Sequence, residues 1–299
     1  MRVIALLASY NEARFIRHTI RHLAEQGVES YLIDNQSTDG TLELARQFEG
    51  SGLAGWSRLE RRGVYEWGGV LAAKEQVAQE LQADWFLAQD CDDFRIAPAG
   101  MAGTLGEALQ EVDLEGFNAV HFDEYTFQPV LEAPHHDHDR FLDTLRWFYP
   151  FAPAPQHRIN AWKNLGQPVD LQQSGGHQVA FPGRRVAPHR FRMRHYMMLS
   201  QRQAMTKYGI DYDPESVRRG WHGWRAHRPR GPLLLPPARS LYTYRSDSDL
   251  RPELPALDRH ILGEIWEGRR PRFPHSPGWD WLVRHRVARA LGRAISRRR

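Results

Sequence analysis

Three short apolar runs, residues 3–8, 30–33 and 85–88, each stop at polar and mostly acidic residues. Runs of that length bounded by turn residues read as buried strands. After the first, Phe15, Ile16, Ile20 and Leu23 recur at helical spacing and Gly27 closes the helix. Leu42, Leu44, Ala45 and Phe48 mark a second helix over residues 41–48, and residues 71–81 a third. Strand, helix, strand, loop, helix is the grammar of a parallel sheet covered by helices. Such a sheet delivers the carboxyl ends of its strands to one edge, where α/β folds place their ligands. Asn11 and Glu12, Asp34 through Asp39, and Asp90, Asp92 and Asp93 all fall at those ends. A further strand fits residues 119–122, with Asp123 and Glu124 at its end.

Composition excludes several classes. Cys91 is the only cysteine, which rules out an intrachain disulfide and zinc sites of the paired-cysteine type. The formal net charge is +4, and much of the excess sits in residues 284–299, so a tail rather than a basic domain carries it and no nucleic-acid partner is expected. No segment approaches the roughly 20 apolar residues of a membrane span. The opening apolar run is too short for a secretory signal, and a cytoplasmic protein is expected. Residues 129–155 turn rich in Pro, His, Asp and aromatics, as befits a substrate-facing region. That divides the chain into residues 1–128, 129–246 and 247–299. The last part ends in an amphipathic helix over residues 281–295, with Val283, Val287, Leu291 and Ile295 on one face and arginines around it. A basic helix of this kind can hold a protein peripherally at an anionic membrane.

Two carboxylates flanking one residue, Asp90 and Asp92, can grip a hard divalent cation, and such cations usually escort phosphates. An acidic turn without a ligand is the plain alternative. No Gly-x-Gly-x-x-Gly follows the first strand and no Gly-Lys-Ser/Thr loop occurs, which removes the dinucleotide-binding and P-loop readings. A nucleotide held by carboxylates and a metal remains.

Ser9-Tyr10-Asn11-Glu12, then Asp34-Asn35-Gln36-Ser37-Thr38-Asp39-Gly40-Thr41, then Asp90-Cys91-Asp92-Asp93 resemble, in order and spacing, the successive signatures of family-2-type glycosyltransferases of the GT-A fold. The resemblance implies a mostly parallel central sheet flanked by helices, with an irregular acceptor side. It implies that Asn11 and Glu12 line the nucleotide pocket, that Asp34 meets the base or ribose, and that Asp39 lies nearby. Asp90 would lie close to ribose and metal, and Asp92 would ligate Mn²⁺ or Mg²⁺ on the donor diphosphate.

Ser174-Gly175-Gly176-His177 and Arg194-His195-Tyr196, followed by Ser200, Gln203 and Lys207, are similar to the C-terminal pattern of a branch of these enzymes that includes the family-92-like transferases. His195 is the first choice for a third metal ligand and His177 the second. The chain also departs from the pattern. Asn35-Gln36 replaces Asp-Gly, Ala72-Ala73-Lys74-Glu75-Gln76 stands where Ala-Arg-Asn-x-Gly is usual, and neither a Glu-Asp pair nor Gln-x-x-Arg-Trp is present. The last absence and the lack of spans argue against a processive polysaccharide synthase. An inverting transferase needs a carboxylate to take the acceptor proton, and Asp123 and Glu124 are the choices. The expected activity is metal-dependent, inverting transfer from a nucleoside-diphosphate sugar to a glycan or lipid-linked acceptor, as in envelope polysaccharide assembly. The alternatives are a non-catalytic nucleotide- or glycan-binding protein and a nucleotidyltransferase. Of six large aromatics, Trp67, Trp147, Tyr149, Trp162, Trp221 and Trp224, one or two are expected in an acceptor groove.

Overall fold

In the computed structural model, which describes residues 1–101, 103–221 and 223–275, the expected strands form the centre of one large sheet. β1 (Val3–Ser9) pairs in parallel with β2 (Glu29–Asp34) on one side and β4 (Trp85–Asp90) on the other, and β3 (Leu53–Arg58) extends the parallel set beyond β2. Val3, Ala5 and Leu7 enter one core and Ile4 and Leu6 another, so both faces of β1 are buried. That is why it reads as an unbroken apolar run. α1 (Ile16–Glu25), α2 (Thr41–Arg46) and α3 (Trp67–Glu80) supply the covering layers. Register carries the functional consequence: Ser9 stands opposite Asp34 and Ala8 opposite Asp90, so the polar strand ends meet at one edge.

The second half of the sheet is largely antiparallel. β8 (Ile159–Lys163) pairs antiparallel with β4, β6 (Ala119–Phe127) with β8, and β7 (Trp147–Phe151) with β6. β9 (Phe191–Tyr196) lies between β6, parallel to it, and β5 (Asp93–Ile96), antiparallel to it. The whole is the mixed α/β, GT-A type arrangement expected, with its parallel part at the core. The strand expected at residues 119–122 continues to Phe127, so Asp123 and Glu124 are mid-strand residues rather than a strand end. Their side chains leave on opposite faces of the sheet.

A third apolar cluster joins α6 (Gln201–Tyr208) to α8 (Ile261–Trp266) through Tyr208, Ile261, Ile265 and Trp266. The amphipathic helix expected over residues 281–295 lies outside the described residues. Among those described, no helix is long and apolar enough to cross a membrane.

Candidate functional site

A cavity of about 450 Å³ opens at the carboxyl ends of β1 and β4. Glu12, Asp90, Asp92, His177 and His195 line it, together with Lys74, Arg158, Lys207, Arg225, His157 and His260. Asn11, Asp34, Asp39, Asp123 and Glu124 do not. Asn11 adopts a positive φ of 55° and accepts a hydrogen bond from the Thr38 amide at 2.8 Å. Asp34 accepts from the Ser37 amide at 3.3 Å, and Asp39 from the Ala13 amide at 3.0 Å. These three polar residues therefore brace the loops behind Tyr10 and Glu12 against each other.

Strand pairing explains how the acidic loop acquires partners from the second half. β5 places Asp93 opposite His195, and β6 places Thr126 opposite it on the other side. His195 consequently stands between two carboxylates. Its Nδ1 donates to Glu124 Oε1 at 2.6 Å, and its Nε2 lies 3.5 Å from Asp92 Oδ2. Burial alone would lower the histidine pKa, but Glu124 and Asp92 outweigh it and raise the pKa to about 10. Asp92 is held well below the usual carboxylate range. Burial opposes that shift, while Lys207 and His195 impose it.

Lys207 comes from the last turn of α6, a helix capped by Ser200, whose hydroxyl accepts from the Gln203 amide at 3.0 Å. The Lys207 ammonium reaches Asp92 Oδ2 at 2.9 Å and Glu12 Oε1 at 2.8 Å. Glu12 is pushed up to about 7, burial being the main cause and Lys207 the main restraint. Asp90 is served by another lysine: Lys74 of α3, itself buried, lies 3.3 Å from Asp90 Oδ1 and donates to the Gln89 carbonyl at 2.9 Å. Lys74 stands in one of the stretches that departs from the family pattern.

Glu124 is a buried hub. Its oxygens accept from Arg158 Nε at 2.8 Å, the Thr126 hydroxyl at 3.0 Å and His195, with His157 Nε2 at 3.3 Å. Arg158 also donates to Nδ1 of His177 at 3.0 Å. Asp123, on the other face, takes both Arg190 bonds, at 2.7 and 2.9 Å, and lines a separate cavity of about 380 Å³.

Trp67, Trp221 and Trp224 all line the main cavity, while Tyr149 and Trp162 are core residues. Gly175 makes this possible. At φ +66°, it lies so close to Trp221 that a Cβ there would stand 2.5 Å from the ring, and its carbonyl accepts from the Trp67 indole at 2.9 Å. The His135–Asp139 stretch is tied to the turn that precedes α1: Arg14 meets Asp137 at 2.9 Å and Asp139 at 2.7 Å.

His157, Arg158, Arg225 and His260 were not legible as site residues. His260 lies in the third part of the chain, and its ring stacks on Phe151 at 3.6 Å and faces Glu124. No local spacing marks any of the four.

A divalent cation fits the donor set. Asp92, Asp93 and His195 offer ligand atoms within 4.8 Å of one another. Carboxylate and imidazole suit Mn²⁺ or Mg²⁺. An imidazole oriented by a second carboxylate, as Glu124 orients His195, is the usual support of a metal-bound histidine. Asp93 does not line the cavity, so the cavity-facing pair is Asp92 and His195.

No curated protein sequence matches the chain. Among solved structures it is similar to S. aureus TarS 1–349 in complex with UDP-GlcNAc, at 18% identity, over 42% of this chain and 35% of that one, with a TM-score of 0.34. The mannosyltransferase PcManGT from Pyrobaculum calidifontis, in complex with GDP-Man and Mn²⁺, is 21% identical over 55% of this chain and 44% of its own, with a TM-score of 0.33. Glucosyl-3-phosphoglycerate synthase from Mycobacterium tuberculosis, in complex with Mn²⁺, UDP and phosphoglyceric acid, is 20% identical over 41% and 43%, with a TM-score of 0.28. The chain spans less than half the length of each of these three. The sequence model described as glycosyl transferase family 2 matches residues 5–111, from β1 through the Asp90–Asp93 loop and into α4 (Leu105–Leu114). The match to glycosyl transferase family 2 is confined to that segment of the chain.

Proposed function

We propose that the protein is a metal-dependent, inverting glycosyltransferase that moves a sugar from a nucleoside-diphosphate donor to a hydroxyl of a glycan or lipid-linked acceptor. One observation carries this reading: the acidic loop of the family-2 segment and a carboxylate-oriented histidine from the second half meet in one cavity. The three similar structures were solved with nucleoside diphosphates or their sugars, and two of them with Mn²⁺.

In this reading Asp92 and His195 hold Mn²⁺ or Mg²⁺, and Asp90 lies beside the ribose, fixed by Lys74. A cation there supplies Lewis-acid charge to the departing diphosphate. Ligation requires the His195 Nε2 proton to leave. Asn11, Asp34 and Asp39 shape the nucleotide end by bracing the loops that present Tyr10 and Glu12. We assign Glu124 to orienting His195 rather than to proton abstraction, because Arg158, Thr126 and the histidines occupy its oxygens. Asp123 faces the other cavity and is paired with Arg190. Trp67, Trp221 and Trp224 give the acceptor sugar apolar faces.

The test is a thermal-shift panel of nucleoside diphosphates with Mn²⁺ and with chelator. A ligand at 100 times its Kd stabilises the native state by about 2.7 kcal/mol. One nucleotide should stabilise the protein only with metal, and Asp92→Ala should remove that shift. No shift with any nucleotide refutes the reading. A persistent metal-dependent shift in Asp92→Ala refutes the ligand assignment. Donor-sugar hydrolysis in the same samples separates an enzyme from a binding protein.

A further inference from the structure

Among the described residues, four lysine and arginine side chains line the main cavity, and three have a carboxylate partner. Lys74 lies 3.3 Å from Asp90, Arg158 2.8 Å from Glu124, and Lys207 within 2.9 Å of both Glu12 and Asp92. The fourth, Arg225, has no carboxylate within ion-pair distance and no hydrogen-bond partner among the described residues. It rests on aromatic surfaces instead, its guanidinium carbon 4.7 Å from the centre of the Tyr208 ring and 5.2 Å from that of Trp224. Burial draws its pKa down, but the Tyr208 and Tyr212 hydroxyls and Asp92 hold it above the ordinary arginine value, so the group stays charged.

A half-buried cation without a counter-charge is costly unless something supplies the anion. Every carboxylate lining this cavity already serves a lysine. The guanidinium fork matches the geometry of a phosphate or carboxylate oxygen pair, and stacking on Tyr208 fixes the plane of that fork. It lies on the segment that carries Trp221 and Trp224, and all three line the same cavity as Asp90 and Asp92.

We infer that Arg225 anchors a phosphoryl group bound in this cavity, carried either by the donor diphosphate or by a phosphorylated acceptor. For the first source the inference rests on the glycosyl-transfer reading; for the second it does not.

The experiment compares wild type, Arg225→Gln and Arg225→Lys by ligand-dependent thermal shift. The probes are UDP and GDP with Mn²⁺, uridine and guanosine, and glycerol 3-phosphate with and without a saturating nucleoside diphosphate. Equal unliganded melting temperatures show that the variants fold, and Arg225→Lys, which keeps a charge over Tyr208, provides a second reading if the glutamine variant melts early. The expected result is a roughly ten- to hundredfold weaker affinity of Arg225→Gln for the phosphorylated probe, the range for one charge-assisted contact. Arg225→Lys should fall between, and the nucleosides should be unaffected. A loss confined to UDP or GDP assigns the donor diphosphate; a loss confined to glycerol 3-phosphate assigns the acceptor. If the wild type ignores every nucleotide but binds glycerol 3-phosphate through Arg225, the phosphoryl anchor stands and the donor reading fails. If phosphorylated probes bind wild type and Arg225→Gln equally, or bind neither, the anchor is refuted.

Discussion

Glu124→Gln is the substitution that most directly probes how the site is held together. The Glu124 side chain is fully buried, and its partners Arg158 and His195 have side chains only 9% and 6% exposed. Glutamine keeps the shape but removes the charge, and places an amide donor where Arg158 or His195 also donates. Breaking a buried ion pair by removing one partner costs about 3–5 kcal/mol, because the surviving charge stays buried. Against a native stability of about 5–15 kcal/mol that is a large fraction. For a domain of this size it corresponds to a melting temperature lower by roughly 6–20 °C. Urea unfolding at pH 7 measures the change in midpoint directly. Asp123→Asn is the internal control. Its partner Arg190 is 56% exposed, so the neighbouring substitution should cost no more than about 1 kcal/mol. The pH dependence has a definite sign. Burial would raise the Glu124 pKa, but Arg158 and His195 hold it well below the ordinary glutamate value of 4.5. The stabilisation is therefore present above that value and is lost as the pH falls through the folded pKa. A destabilisation under 1 kcal/mol, or a larger one in Asp123→Asn, refutes the hub. Function gives a second readout. As an orienting residue Glu124 should affect Mn²⁺ affinity, whereas a proton acceptor would lower kcat and leave that affinity unchanged.

Two further perturbations test other parts of the structure. Gly175→Ala places a Cβ 2.5 Å from Trp221 in a residue at φ +66°; the left-handed backbone alone costs about 1–2 kcal/mol. The variant should melt early and lose binding to glycan acceptors while keeping that to nucleoside diphosphates, and unchanged acceptor binding refutes the platform. His22, half-buried with its ring 2.8 Å from the Arg95 carbonyl, has its pKa lowered to about 4, chiefly by desolvation. An unfolded histidine takes up its proton near 6.5, so acidification favours unfolding through that window, by about 3 kcal/mol at its acid end. His22→Gln should flatten the fall in urea midpoint between pH 6.5 and 4; an unchanged slope refutes the assignment.

The parallel half was legible because its strands are buried on both faces. Where burial is one-sided the pattern vanished: β3 buries Leu53 and leaves the rest partly or fully exposed, so no apolar run marked it. α4 was overlooked although its signal was local, a capping box in which Thr104 and Glu107 exchange hydrogen bonds. Asp123 and Glu124 read as a strand end because two acids interrupt an apolar run. Burial explains the error, since the strand continues through Tyr125-Thr126-Phe127 and its inward acid is neutralised by residues far along the chain. The site divides in the same way. Carboxylates at strand ends could be read from order and spacing. Their partners could not, because Arg158 and His195 lie 34 and 71 residues from Glu124, and Lys207 lies 115 residues from Asp92.

That separation bears on how the two halves work together. The segment matched by the family-2 model ends at residue 111, and taken alone it would leave Glu12 and Asp92 in the cavity with no shared cation. Lys207 supplies that cation from α6, and His195 brings Glu124 into the same network through β9. The backbone adds a further tie, as the Tyr196 amide donates to the Asp92 carbonyl at 2.9 Å. Asp92 is thus positioned by residues from beyond the family-2 segment. A change in α6 or β9, remote in sequence from the acidic loop, acts on Asp92 as directly as a change in that loop itself.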